Sequence, residues 1–252
     1  MPRFVLRSLI PVVALAGAGA VLAQQQTPDV TQIVRDIERN EFRFEDITYK
    51  MKLTLIEGGT TTREIDMQVF AKGPDKMLLR ITAPGEVAGT AILQLGPRTM
   101  YMYNPEDRSV RLIAASARAQ GLLGTDYAAA DASLAGIGDG WTATLLETTD
   151  LSYKVQLVPQ NDDVSPYSKL VVWFDRSENK ATKIEYYMDG ELAKTIDRME
   201  FVDHDDGFDD FTHTTVTNAR AARVTDVRIL DTQVNTGLDD RMFTKRSLML
   251  GE

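Results

Sequence analysis

The 252 residues contain no cysteine, only two histidines and only two tryptophans. Without cysteine the chain has no disulfide framework, no thiol nucleophile, no thiolate metal ligand and no residue to carry a lipid behind a leader. Gly-x-Ser-x-Gly, His-Glu-x-x-His and a phosphate-cradling loop before a helix are also missing. Gly136-Ile137-Gly138-Asp139-Gly140 runs into strand-like sequence instead. His204 sits among Asp203, Asp205, Asp206, Asp209 and Asp210, but without the glycine and glutamate spacing of a calcium loop, so the stretch reads as a solvated acidic turn. No enzyme activity, cofactor or metal is expected. Basic charge is scarce as well. The formal net charge is −9, which argues against nucleic acid and against charge-driven attachment to anionic lipid.

Long apolar runs are absent except at the amino terminus. Arg3 and Arg7 precede the apolar and small-residue run Ser8 to Ala20, and Val21-Leu22-Ala23 ends it in the manner of a secretory signal peptide. The expectation is cleavage after Ala23, leaving 24–252 as a single periplasmic domain with no Gly/Ser/Pro-rich linker. An uncleaved anchor is disfavoured because the run is short and holds Pro11, Gly17 and Gly19.

Periodicity then organises the chain. Thr27 as N-cap, Pro28 at the first helical position and Val30, Ile33, Val34 and Ile37 at helical spacing predict an amphipathic helix to about Asn40. From Ile47 the period becomes two: Ile47, Tyr49, Met51, Leu53 and Leu55 share one face. Gly58-Gly59 turns the chain into Ile65, Met67, Val69 and Ala71, and Met77, Leu79 and Ile81 continue the pattern. Strand-like runs resume from Trp141 to Val234, with Asp189-Gly190 a strong hairpin signal and Leu238 to Phe243 a possible final helical turn. The fold class expected is mainly β: a curved antiparallel sheet, an incomplete β-barrel of about 11–13 strands, with a few helices plugging its concave face.

Between the two strand series lies the stretch Gly89 to Asp131. It holds Gly-Thr-Ala-Ile-Leu at 89–93, then Met100 to Ile113 (MYMYNPEDRSVRLI), then Arg118-Ala-Gln-Gly-Leu-Leu-Gly-Thr-Asp-Tyr127 and an alanine-rich run with helical character. This order resembles the bacterial outer-membrane lipoprotein-sorting (LolA-like) family, and the resemblance extends more weakly from about Pro28 to Leu248. It implies an incomplete barrel plugged by helices and a carrier function. The length is more similar to that of relatives associated with membrane exporters of hydrophobic compounds.

The candidate ligand-binding residues are apolar. Leu53, Met67, Val69 and Leu79 come from the early strands, and Leu93, Met100, Tyr101, Met102 and Tyr103 from the central block. Leu122, Leu123 and Tyr127 form a candidate lid, and Trp141 opens the later strands. For each the ordinary alternative is a core residue, and for the lid a fixed plug. A dozen buried methylenes would supply on the order of 10 kcal/mol, enough to hold an acyl chain. Arg80, Arg98, Arg108 and Arg111 suit a ligand's polar end or simply a solvated strand face. The expected function is a periplasmic carrier of lipid or lipoprotein acyl chains, served by an inner-membrane transporter. The alternative is a non-enzymatic regulatory or scaffold protein that senses lipoproteins or binds a protein partner.

Overall fold

The computed structural model describes residues 28–131, 137–204 and 208–250, so the predicted leader and Thr27 lie outside the described residues. The first helix, α1 (Val30–Glu41), is capped by Asp29, whose Oδ1 accepts from the amides of Thr31 at 2.9 Å and Gln32 at 3.4 Å. Its apolar stripe buries Val34 and Ile37. That stripe has its partner in the sheet.

Among the described residues thirteen strands form one antiparallel sheet. The first series is β1 (Asp46–Glu57), β2 (Thr60–Lys72), β3 (Lys76–Ala83), β4 (Ala91–Leu95), β5 (Thr99–Asn104) and β6 (Ser109–Leu112). The second is β7 (Trp141–Thr148), β8 (Ser152–Pro159), β9 (Lys169–Asp175), β10 (Lys180–Met188), β11 (Glu191–His204), β12 (Phe208–Asn218) and β13 (Arg223–Val234). Each series is a meander, because its turns are short and carry the residues that tight hairpins need. Gly58 and Gly59 close β1–β2 at φ 56° and 82°, and Asp189 and Gly190 close β10–β11 at 53° and 81°, the positive-φ pairs of a type I′ turn. The two meanders join where β13 pairs with β1, Leu53 opposite Val227. The order is therefore β6-β5-β4-β3-β2-β1-β13-β12-β11-β10-β9-β8-β7, with β6 and β7 as unpaired edges, so the sheet is not closed into a barrel.

Alternation gives this sheet two apolar faces. The inner one carries the main core, in which Leu53, Met67, Leu79, Val172, Phe174 and Ile184 are wholly buried and onto which α1 packs. A smaller outer cluster joins Leu78, Ala91 and Leu93 to Phe243 and Leu248 of the carboxy-terminal segment. That segment has a 3-10 turn at Asp240–Met242, inside the predicted helical stretch, and then a short helix, α2 (Lys245–Leu250), that sequence periodicity did not reveal in six residues. Asp46 fastens it: the buried carboxylate accepts from the amides of Thr236 (2.8 Å), Gly237 (2.9 Å) and Leu238 (3.0 Å). Of the two described α-helices, α1 serves the concave side and α2 the convex one.

A crossed and capped cavity as candidate functional site

Because the meanders end at opposite edges, the connection from β6 to β7 has to pass from one edge of the sheet to the other. Leu122 and Tyr127 of this crossing segment are buried in the main core, with Leu123 packed against it. The described part of the alanine-rich run is not the helix its composition suggests. It makes only a 3-10 turn at Ala129–Asp131, and 132–136 lie outside the described residues. Side chains take the backbone groups instead: Asp131 Oδ2 accepts from Ala128 N at 2.7 Å, and Thr125 Oγ1 donates to Leu122 O at 2.8 Å. Gly121 is required by close approach, since a Cβ there would lie 1.6 Å from the Thr125 carbonyl oxygen.

Two ionic contacts, each made by a buried carboxylate, hold the segment down. Asp126 accepts from Arg223 Nε at 3.0 Å and Asn218 Nδ2 at 2.6 Å. Asp131 pairs with Lys194 on the inner face of β11 and accepts from the Tyr167 hydroxyl at 3.1 Å. Lys194 also donates to the Asp126 carbonyl at 3.1 Å and lies over the rings of Tyr186 and Tyr167, at 5.2 and 5.4 Å.

Beneath the segment remains a cavity of about 100 Å³. Met51, Val69, Leu79, Ile196 and Val227 form its apolar walls, and Tyr127 and Asp131 reach into it from the crossing segment. One end is polar. Arg198 Nη1 donates to both carboxylate oxygens of Glu41, the last residue of α1, at 3.0 and 3.1 Å, and Asp210 lies beside them. Burial pushes the Asp210 carboxyl up to about 6; Lys180 opposes this and Glu41 adds to it. The folded protein therefore holds a proton on Asp210 that the unfolded chain releases near its ordinary value of 3.8. Stability should fall as pH rises from about 4 to about 6, by about 2 kcal/mol once the partial opening of this side chain to the cavity is discounted. Urea unfolding on either side of that window should show the loss, and Asp210→Asn should abolish it.

The predicted site residues separate along the strand period. Leu53, Met67, Val69, Leu79, Met100, Leu122 and Tyr127 share the inner core, and among them Val69, Leu79 and Tyr127 line the cavity. Leu93, Tyr101 and Tyr103 belong to the outer cluster under the carboxy-terminal segment, and Met102 is exposed. Consecutive residues of β5 cannot all face one side. Trp141 and Met100 line a second, smaller cavity. The acidic turn is also different from its expected form: Asp209 and Asp210 are residues of β12, and Asp210 faces the main cavity, while 205–207 lie outside the described residues.

The arginines weighed from sequence lie away from the main cavity. Arg80 donates to Ser247 O at 3.3 Å on the outer face, and Arg111 pairs with Asp107 at 2.6 Å. The cations that matter, Lys194 and Arg198, escaped notice, although Lys194-x-Ile196-x-Arg198 places them in register with a buried isoleucine. Charges in the apolar register of a strand were the available signal.

The open meander with a crossing segment is the LolA-like fold. It is shared, at TM-score 0.79 and 22% identity, with a domain from Vibrio parahaemolyticus described as outer membrane lipoprotein-sorting, over 87% of this chain and 97% of that one. A DUF1329 family protein from Desulfovibrio piger matches at TM-score 0.78 and 21% identity, over 88% of this chain and all of the other. A LolA superfamily protein from Nitrosomonas europaea matches at 0.73 and 21%, with the same two coverages. No curated protein matches the chain. A family model described as "Uncharacterized protein" matches residues 73–249, more than half of the sequence, and the chain belongs to that family.

Proposed function

We propose that this protein is a non-enzymatic periplasmic carrier that holds a lipid or lipoprotein acyl chain against the inner face of the sheet, under the crossing segment, and moves it from an inner-membrane transporter toward the outer membrane. The observation that carries this reading is the position of Leu122 and Tyr127. They occupy the apolar concavity from a connection rather than from the sheet, and leave only about 100 Å³ below them. Ligand pockets usually measure roughly 300–1,000 Å³, so what remains is the residue of a larger site whose own chain stands in for the guest. Lifting the segment exposes a site of ligand size, and its return expels what was bound. The lipoprotein-sorting description of the Vibrio parahaemolyticus domain supports the same class of cargo. Among the described residues no helix is long and apolar enough to cross a membrane.

The test is native mass spectrometry of the protein purified from periplasm without detergent, followed by organic extraction and uptake of an offered fluorescent fatty-acyl probe. The expected result is an added mass that extracts as acyl lipid and is displaced by the probe. A bare polypeptide mass with no uptake overturns the reading.

A further inference from the structure

The second cavity, of about 70 Å³, adjoins the first through Gln94, which lines both. Its character is different. Arg118, which follows the 3-10 turn Ala115–Ala117 of the crossing segment, and Arg98, from the β4–β5 turn, both reach it, with Trp141, Ser165, Tyr167 and Tyr186 around them. Arg118 is only 6% exposed, yet the one hydrogen bond of its guanidinium among the described residues runs from Nη2 to the Asp163 carbonyl oxygen at 2.8 Å, and its Nε has no partner. The buried Gln94 amide oxygen has none either. Arg98 makes no ion pair among the described residues, and its guanidinium is accommodated by Gly140, where a Cβ would lie 2.5 Å from Nη2. Asp139 at the rim and the Asp163 side chain are exposed to water, outside ion-pair distance of either arginine.

Buried guanidinium groups are normally paired, because desolvating the charge without a counter-ion is costly. Burial lowers the Arg118 pKa from its ordinary value, the Asp163 charge opposes this in part and Arg98 adds to it, but a guanidinium stays charged in proteins. A planar fork of donors turned into a small cavity is the arrangement that recognises a carboxylate or a phosphate. The cavity has room for more than one water and hence for a compact anion.

We propose that the second cavity is a headgroup site: Arg118, with Arg98 beside it, takes the phosphate or carboxylate of an amphiphile whose acyl tail lies in the main cavity past Gln94. The cargo class is then an anionic lipid rather than a neutral one. This rests on the carrier reading above and narrows it. It also gives Arg118 a reason to ride on the crossing segment, since the headgroup and the closing element would be engaged together.

The test compares dodecyl phosphate, dodecanol and inorganic phosphate by calorimetry on the full chain and on Arg118→Met. The expected result is that dodecyl phosphate binds the natural protein at least about tenfold more tightly than dodecanol, the discrimination of roughly one charge-assisted hydrogen bond. In Arg118→Met the preference should shrink to about twofold or less while dodecanol binds as before, and the unliganded variant should be no less stable, since it loses an unpaired buried charge. Arg118→Lys, which keeps the charge, should retain part of the preference. Equal binding of the two dodecyl compounds, or a preference that survives Arg118→Met, overturns the headgroup assignment and leaves the acyl carrier standing. Binding of inorganic phosphate alone, with neither dodecyl compound bound, marks a free-anion site and overturns the headgroup assignment and the carrier reading together.

Discussion

Asp131→Ala is expected to cost the fold about 3–5 kcal/mol, read as a lower urea midpoint with an unchanged slope. The carboxylate is wholly buried and its partner Lys194 nearly so. Removing Asp131 strands a nearly buried ammonium among Tyr167, Tyr186 and the Asp126 carbonyl. It also frees the Ala128 amide and the Tyr167 hydroxyl, which both donate to this carboxylate. The pair as a whole is a different matter. Two desolvated charges gain little net free energy from each other, so Asp131→Asn combined with Lys194→Met should recover most of the loss, because asparagine keeps an acceptor for Ala128 and no charge is left unpaired. Strong non-additivity between these positions is the expected signature. Small and additive losses at the two positions would mean that the contact is a surface-like pair and not the fastening of the crossing segment.

The sheet was largely legible because its signals are local. A period of two from Ile47 onward, Gly58-Gly59 and Asp189-Gly190 at the turns, and short spacings set a meander without reference to anything distant. Which face each strand presents is a matter of register. There the reading held where polar and apolar residues alternate, as at Met67 and Val69, and failed where both faces are apolar, as in β4 and β5, since a second cluster on the convex side claims Leu93, Tyr101 and Tyr103. That cluster depends on residues far downstream, at Phe243 and Leu248, and nothing near Leu93 announces them. The polar groups of the site were hidden for the same reason. Glu41 meets Arg198 and Asp131 meets Lys194 only after the sheet has brought β11 beneath α1 and the crossing segment. Local composition suggests a helix after Asp126, and over the described residues to Asp131 the competition of Thr125 and Asp131 for backbone groups decides otherwise.

Tyr127→Ala is expected to move stability and ligand affinity in opposite directions. The side chain is 7% exposed and sits both in the inner core and on the cavity wall, so its loss should cost about 3 kcal/mol in the unliganded protein, in the range of large aromatic truncations. In an ordinary core that would be the whole effect. Under the proposed carrier function the same ring fills space that a guest needs, and any guest has to displace it. The burial of Tyr127 is therefore subtracted from the intrinsic affinity for an acyl chain, by roughly 1.5–3 kcal/mol, the worth of one large apolar side chain. Removing it should tighten binding of a fatty-acyl probe by roughly ten- to a hundredfold and slow its release, with the bound variant regaining much of the lost stability through linkage. A fixed plug predicts the reverse pairing: stability falls and affinity does not change, because the segment never leaves. Equilibrium unfolding with and without probe, on the natural chain and on Tyr127→Ala, separates the two. The comparison matters for transfer as well as for binding. A carrier has to let go, and a closing segment that competes for the cavity supplies release without any chemical step.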